Sequence, residues 1–485
     1  MCKESLEAIR GQLSGPRSDG SYVALGSQGG GDGSAELPVD ENGATESSLR
    51  ARGYGAGWST KGAARRLFMF LLPSFVARAL GHVDEDAEIP AVTATSYLNG
   101  LRGLAALFVT FAHNTDDYQW VYHGWGQTPE DYYLVQLPFV RDVFCGVFMV
   151  AIFFVVSGFA LTYSPLRKCH AGQSADAIAS IPSSIFRRPF RLFLPVVPTL
   201  LATTIAIQNG VYYSSPMRTP SGPMVSGAWS YVPFIWGTLV TIMTNPTTGT
   251  ILPPGWTLST EYQGSLLVFM CCLVFARTSA PVRIFCVLAL LAFLLQLSLW
   301  HYCLFLAGMI LGDIRHVRKK LPALEGRARR AVNAATWLLL AVSLFLGGWP
   351  MRDDGYAAAG YSWFTWAPTF GIEPMRYFPS VGAVGLVAAL ENLPVIQRGL
   401  TSRCILYLGE ISYGVYLVHW LVGRSSATWG LRYRMLESGY SLGFSWTLTF
   451  VIMLVLSIWV GDINWRLFDQ KSVRFSHWLS KKLGI

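Results

Sequence analysis

Apolar positions in this chain gather into runs separated by short polar or basic stretches, and each run approaches the roughly 20 residues a helix needs to cross a bilayer. The runs lie at 98–113, 143–164, 190–208, 230–245, 256–276, 283–314, 332–348, 377–392, 403–423 and 441–461. They predict an all-α fold, a polytopic transmembrane helix bundle of about ten spans. The run 283–314 is too long for one simple crossing and carries Trp300 and His301 near its middle. A tilted helix, a broken helix and two short helices all accommodate it. With a single crossing, the basic stretches 167–191 and 315–330, Arg398 with Arg403, and Lys481 with Lys482 all fall on one side. Positive charge accumulates on the cytoplasmic side, so the preferred reading is one crossing and two cytoplasmic termini. Arg424, Arg432 and Arg434 stand on the other side and count against it.

The flanks differ in character. Residues 1–63 are polar and rich in Gly and Ser, without an apolar core near Met1, which predicts a disordered tail and no signal peptide. Residues 64–90 hold "AARRLFMFLLPSFVARAL", with Arg65, Arg66 and Arg78 around a short apolar body broken by Pro73, and read as an interfacial amphipathic helix and linker. Residues 91–465 form the transmembrane domain, and 466–485 a basic C-terminal tail. The aromatic-rich loops 114–142 and 349–376 read as structured caps.

Composition agrees. Of 485 residues 52% are hydrophobic and 14% charged, where soluble proteins carry about a quarter charged residues. A net charge of +9 would suggest nucleic acid in a soluble protein, but here the basic residues flank apolar runs, so no nucleic-acid partner is expected and the lipid bilayer is. The eight cysteines show neither a disulfide framework nor zinc-ligand spacing, and no metal is expected. Without a targeting address, an endomembrane such as the endoplasmic reticulum is the default location.

The chemistry begins in "YLNGLRGLAALFVTFAHN" (97–114). Arg102 and His113 fall on nearly one helical face, separated by about 16 Å. Ionisable groups inside membrane segments are costly and usually face a polar cavity. Arg188 and Arg191, in "FRRPFRLFLP", share a face suited to phosphate. "PPGWTLSTEYQGSLL" brings Trp256 and the carboxylate of Glu261 into the membrane, where Glu261 needs an arginine or histidine partner. Ser157, in "FFVVSGFALT", allows close packing or a ligand's approach. Tyr416 and His419, in "EISYGVYLVH", share a face and read as a satisfied polar pair. Asp116 and Asp117 are close enough to His113 to orient its ring, although loop acids are usually solvated.

These motifs, with "FLAGMILG" (305–312), occur in the order found in the acyltransferase-3 family of integral membrane acyltransferases, which the chain resembles over about 95–465, and the long polar tail resembles fungal members. The resemblance implies O-acyl transfer, usually of acetyl, from acyl-coenzyme A to a hydroxyl-bearing acceptor, a carbohydrate, lipid or small natural product. It implies no permanently bound cofactor. It makes His113 the base and puts Arg102, Arg188 and Arg191 in donor binding. Ser157 and Trp256 join them as candidates for the donor's path, and Glu261 joins His113 as a catalytic candidate. An imidazole, with an ordinary pKa of about 6.5, suits proton removal from a hydroxyl at neutral pH. The alternative is a transporter or flippase that uses its intramembrane Arg, Glu and His for substrate binding or proton relay.

Overall fold

The computed structural model describes residues 68–81, 89–213, 225–245, 251–351 and 355–485. The predicted disordered tail lies outside the described residues, as do 64–67 and 82–88 of the interfacial segment. Among the described residues the fold is all α-helical, with one isolated bridge between Tyr212 and Ser425 in place of any strand. The helices are α1 (Ser74–Ala79), α2 (Ser96–Asn114), α3 (Gly146–His170), α4 (Ser174–Phe193), α5 (Val196–Gln208), α6 (Tyr231–Thr244), α7 (Trp256–Val274) and α8 (Ala280–Gln296). They continue as α9 (Trp300–Arg318), α10 (Gly326–Gly347), α11 (Pro374–Leu390), α12 (Pro394–Leu400), α13 (Arg403–Gly423), α14 (Leu431–Glu437), α15 (Leu442–Asn464) and α16 (Gln470–Leu483).

Among the described residues six helical stretches are long and apolar enough to cross a membrane, or seven if α11 and α12, bent by 102° at their break, make one span. Several expected spans are of another kind. The polar residues of α2 keep it off that roster, and α6 is only 14 residues long. Many large apolar side chains face outward, among them Phe285, Phe293, Leu338 and Val455. A soluble protein does not expose such a belt, and a bilayer covers it; the chain is an integral membrane protein.

The run 283–314 does not cross once. It folds back as the antiparallel pair α8 and α9, turning at Ser298, whose φ of 59° is left-handed. The Ser298 hydroxyl donates to the carbonyl of Phe370 at 2.9 Å and anchors the turn. At the open end Arg283 makes a two-pronged ion pair with Asp313, at 2.7 and 2.8 Å. A guanidinium and carboxylate at matching heights stabilise the hairpin, since without it Arg283 would lose its carboxylate and Asp313 would keep only His170.

Small residues set the tight crossings. A Cβ added to Gly158 would collide with the carbonyl of Phe305, and one on Gly308 with that of Val155, so α3 and α9 touch backbone to backbone. Gly103 and Gly409 do the same for α2 and α13. These two run in one direction, because Gly100 abuts Ile405 at one end while the rings of His113 and His419 meet at the other. The bundle thus has an arginine end and a histidine end, joined by the α2 face. At the arginine end, α1 docks on α15 through Asp462, which accepts from Ser74, Tyr407 and Arg466. The basic C-terminal segment is the helix α16, laid along α4 with Ser480 2.9 Å from Ser183.

Candidate active site

His113 lies in the last turn of α2, and its Nδ1 is 3.2 Å from Asp116 Oδ2. An ionised carboxylate only accepts, so Nδ1 carries the hydrogen and Nε2 keeps its lone pair. The Tyr122 hydroxyl is 2.7 Å from Asp116 Oδ1 and 2.8 Å from the carbonyl of Ala112, and Arg424 Nη2 is 3.5 Å from Asp116 Oδ2. Burial alone would raise the Asp116 carboxyl; the hydrogen bond from His113, that from the Tyr122 hydroxyl and the Arg424 cation outweigh burial and hold it below the ordinary carboxylate range. Its neighbour Asp117 goes the other way, raised by burial against the pull of Arg424 and Arg432.

The His113 ring stacks on that of His419, with centroids 5.4 Å apart and planes at 21°, and meets Trp420 edge-on at 5.1 Å. His419 is fully buried. Its Nδ1 donates to the carbonyl of Tyr416 at 2.7 Å, and its Nε2 has no partner. The expected satisfied pair of Tyr416 and His419 is therefore corrected. The Tyr416 hydroxyl turns to Thr257 Oγ1, 2.7 Å away, and His419 uses only the backbone of Tyr416.

Arg424 and Arg432, read from sequence as stray outer charges, are both 3% exposed and belong to this end of the molecule. The Arg424 guanidinium lies between the rings of Trp420, at 4.8 Å, and Trp429, at 3.6 Å. Arg432 donates to the Asn114 side chain at 2.5 Å and to Thr449 at 3.0 Å. Neither is a solvated loop charge, so neither carries weight in the positive-inside balance. Two tryptophans bracketing an arginine was the signal available in the sequence.

At the other end Arg188 pairs with Glu261 and donates from Nε to Ser265 Oγ at 2.8 Å. Glu261 thus has the arginine partner its burial demands, and bonds Arg188 rather than His113. Arg102 lies within electrostatic reach of Arg188, Arg191, Glu410 and Asp469. Among the described residues neither Arg102 nor Arg191 has an ion-pair partner within 4 Å. Glu410 is instead held by Asn99 Nδ2 at 2.7 Å. The three arginines expected to act together do cluster. Ser157 precedes the Gly158 crossing of α3 with α9, and Trp256 opens α7 with its ring 6.4 Å from Phe154; neither joins the arginines or His113 by a hydrogen bond. Among the described residues no group of His, Cys, Asp and Glu could hold a metal.

A histidine–carboxylate pair thus stands at one end of α2 and an arginine cluster at the other. Residues 95–465 match the acyltransferase domain of the acyltransferase-3 family, and the chain belongs to that family. It is 27% identical over 451 residues to the O-acetyltransferase PaAT-1 of Phomopsis amygdali, covering 82% of this chain and 87% of that one. It is 22% identical over 430 residues to the acyltransferase clz18 of Cochliobolus lunatus, covering 75% and 91%, and 22% identical over 420 residues to the acyltransferase R4 of a Phoma species, covering 73% and 89%. No solved structure matches the chain. The protein is a membrane acyltransferase.

Proposed function

We propose that the protein moves an acetyl or other short acyl group from acyl-coenzyme A to a hydroxyl of a small natural product, lipid or carbohydrate, with His113 as general base. The observation that carries this reading is the His113–Asp116 bond, which leaves Nε2 as the basic nitrogen and gives the imidazolium a carboxylate to face once it forms. The hydroxyl oxygen attacks the thioester carbonyl carbon while its proton passes to His113 Nε2. The tetrahedral intermediate collapses, the C–S bond breaks, and the leaving thiolate recovers the proton. The name of the Phomopsis amygdali relative, an O-acetyltransferase, supports acetyl and oxygen as the transferred group and acceptor atom.

The donor's phosphates belong at the arginine end, because phosphate charge is not carried cheaply into lipid. Arg191 and Arg102, without ion-pair partners of their own, supply the cations, and Glu261 holds Arg188 in place as a positioning residue. Pantetheine then spans the roughly 16 Å of the α2 face to His113. This orientation turns the arginine end and both termini to the cytoplasm, and an endomembrane fits it. Titrating detergent-solubilised protein with acetyl-coenzyme A tests the donor. Saturable binding is expected; a folded protein that does not bind it overturns this choice of donor.

A further inference from the structure

Attack on the thioester places negative charge on the carbonyl oxygen, and neither His113 nor the arginine end is positioned to take it. Beside His113 is a small cavity whose lining includes Asn114, His419, Arg424 and Trp429. Its free volume of about 10 Å³ is near the minimum that holds one water-sized occupant. Each of those four residues carries a buried polar atom with no hydrogen-bond partner: Asn114 Nδ2, His419 Nε2, Arg424 Nη1 and Trp429 Nε1. Buried polar groups are nearly always satisfied, so four orphans carried by residues that line one cavity mark a site built for a polar occupant. The residues are 0 to 6% exposed, so bulk water does not serve them.

Chemistry tells what that occupant is. Three of the four atoms are donors, and one is on a permanent cation. His419 Nε2 is an acceptor, since Nδ1 is committed to the Tyr416 carbonyl, but three donors, one of them on a guanidinium, outweigh it. The preferred guest is a single oxygen bearing negative charge. Arg424 is fixed in place by the ring faces of Trp420 and Trp429, and its Nη2 faces Asp116, which leaves Nη1 for the guest.

Building on the acyl-coenzyme A reading, we propose that this cavity is the oxyanion hole, with Arg424, Trp429 and Asn114 as further catalytic residues that donate to the carbonyl oxygen of the tetrahedral intermediate. The electron pair displaced when the hydroxyl attacks the thioester carbon rests on that oxygen, returns to re-form the carbonyl, and expels the thiolate. Preorganised donors of this type each contribute about 10²–10³ in kcat.

The test compares two coenzyme A analogues in which a methylene replaces the thioester sulfur: a methyl ketone, and a trifluoromethyl ketone that hydrates to a tetrahedral, readily ionised mimic of the intermediate. Wild type is expected to bind the trifluoromethyl ketone at least about 100-fold more tightly. Trp429→Phe keeps the aromatic ring and removes only the N–H, and is expected to lose about 10-fold or more of that preference while binding the methyl ketone as before. Arg424→Lys, which keeps the charge but not the guanidinium geometry, should lose it as well. If both variants keep the wild-type ratio, the cavity holds only a structural water and the proposal fails. If wild type binds neither analogue, the acyl-coenzyme A reading fails, and the proposal with it.

Discussion

His113 and Asp116 are three residues apart, yet their side chains meet across the end of α2, Nδ1 to Oδ2 at 3.2 Å. That contact fixes which ring nitrogen can act as a base. Asp116→Asn should keep the space and lose the anion, leaving His113 free to adopt the wrong tautomer. Turnover is expected to fall by about 10²–10⁴ with little change in donor affinity. Activity within a few-fold of wild type, measured by ester formation, would remove Asp116 from the mechanism.

Arg191 is the cleaner probe of donor binding. Removing Arg188 would strand Glu261 in the bundle, whereas Arg191 has no ion pair within 4 Å and only the longer-range attraction of Asp469 to give up. Arg191→Gln should weaken acetyl-coenzyme A binding by about 10-fold, the scale of one charge-assisted hydrogen bond, and leave the melting temperature nearly unchanged. An unaltered Kd by calorimetry would assign the phosphates to other residues.

The close crossing of α3 and α9 predicts steric intolerance. Gly158→Ala and Gly308→Ala place methyl groups against backbone carbonyls and should each cost about 1–3 kcal/mol, read as a lower melting temperature in detergent. Gly443→Ala, where a Cβ meets nothing within 4 Å, is the control and should be neutral. Equal effects at all three positions would contradict the packing.

Asp142 sits buried in the outer loop, with Oδ1 unpartnered, and burial pushes its carboxyl up to about 8 against the pull of Arg141. In the unfolded chain an aspartate ionises near about 3.9. The folded state therefore holds a proton that the unfolded state has lost, and stability falls as pH rises through the window between those values. Asp142→Asn should flatten this dependence and raise the melting temperature at pH 8 more than at pH 5. Parallel melting curves for the two proteins would contradict it.

Much of the helical character was legible because apolar runs of membrane length leave few alternatives. The turn at Ser298 was not, because it depends on a hydroxyl reaching Phe370 and on Arg283 meeting Asp313, partners 72 and 30 residues away. Arg102, His113, Arg188 and Arg191 stood out because a charge or an imidazole near lipid requires a reason. Glu261 stood out in the same way, and its demand for an arginine or histidine partner is met by Arg188, which only the fold singles out. Arg424 was hidden by the positive-inside rule, which treats every loop arginine as solvated, while this one is stacked between two indoles. The orphan on His419 was hidden too, because only the fold shows that its second nitrogen meets no partner.

Proton removal by His113 is the central claim. Purified His113→Gln protein and wild type are each incubated with carbon-14-labelled acetyl-coenzyme A and a solvent extract of cells lacking the protein. Wild type is expected to form a labelled, alkali-labile ester. The variant should bind acetyl-coenzyme A normally and form that ester at least about 100-fold more slowly, the low end of what general-base catalysis supplies. Ester formation by a folded variant at close to the wild-type rate would contradict the account.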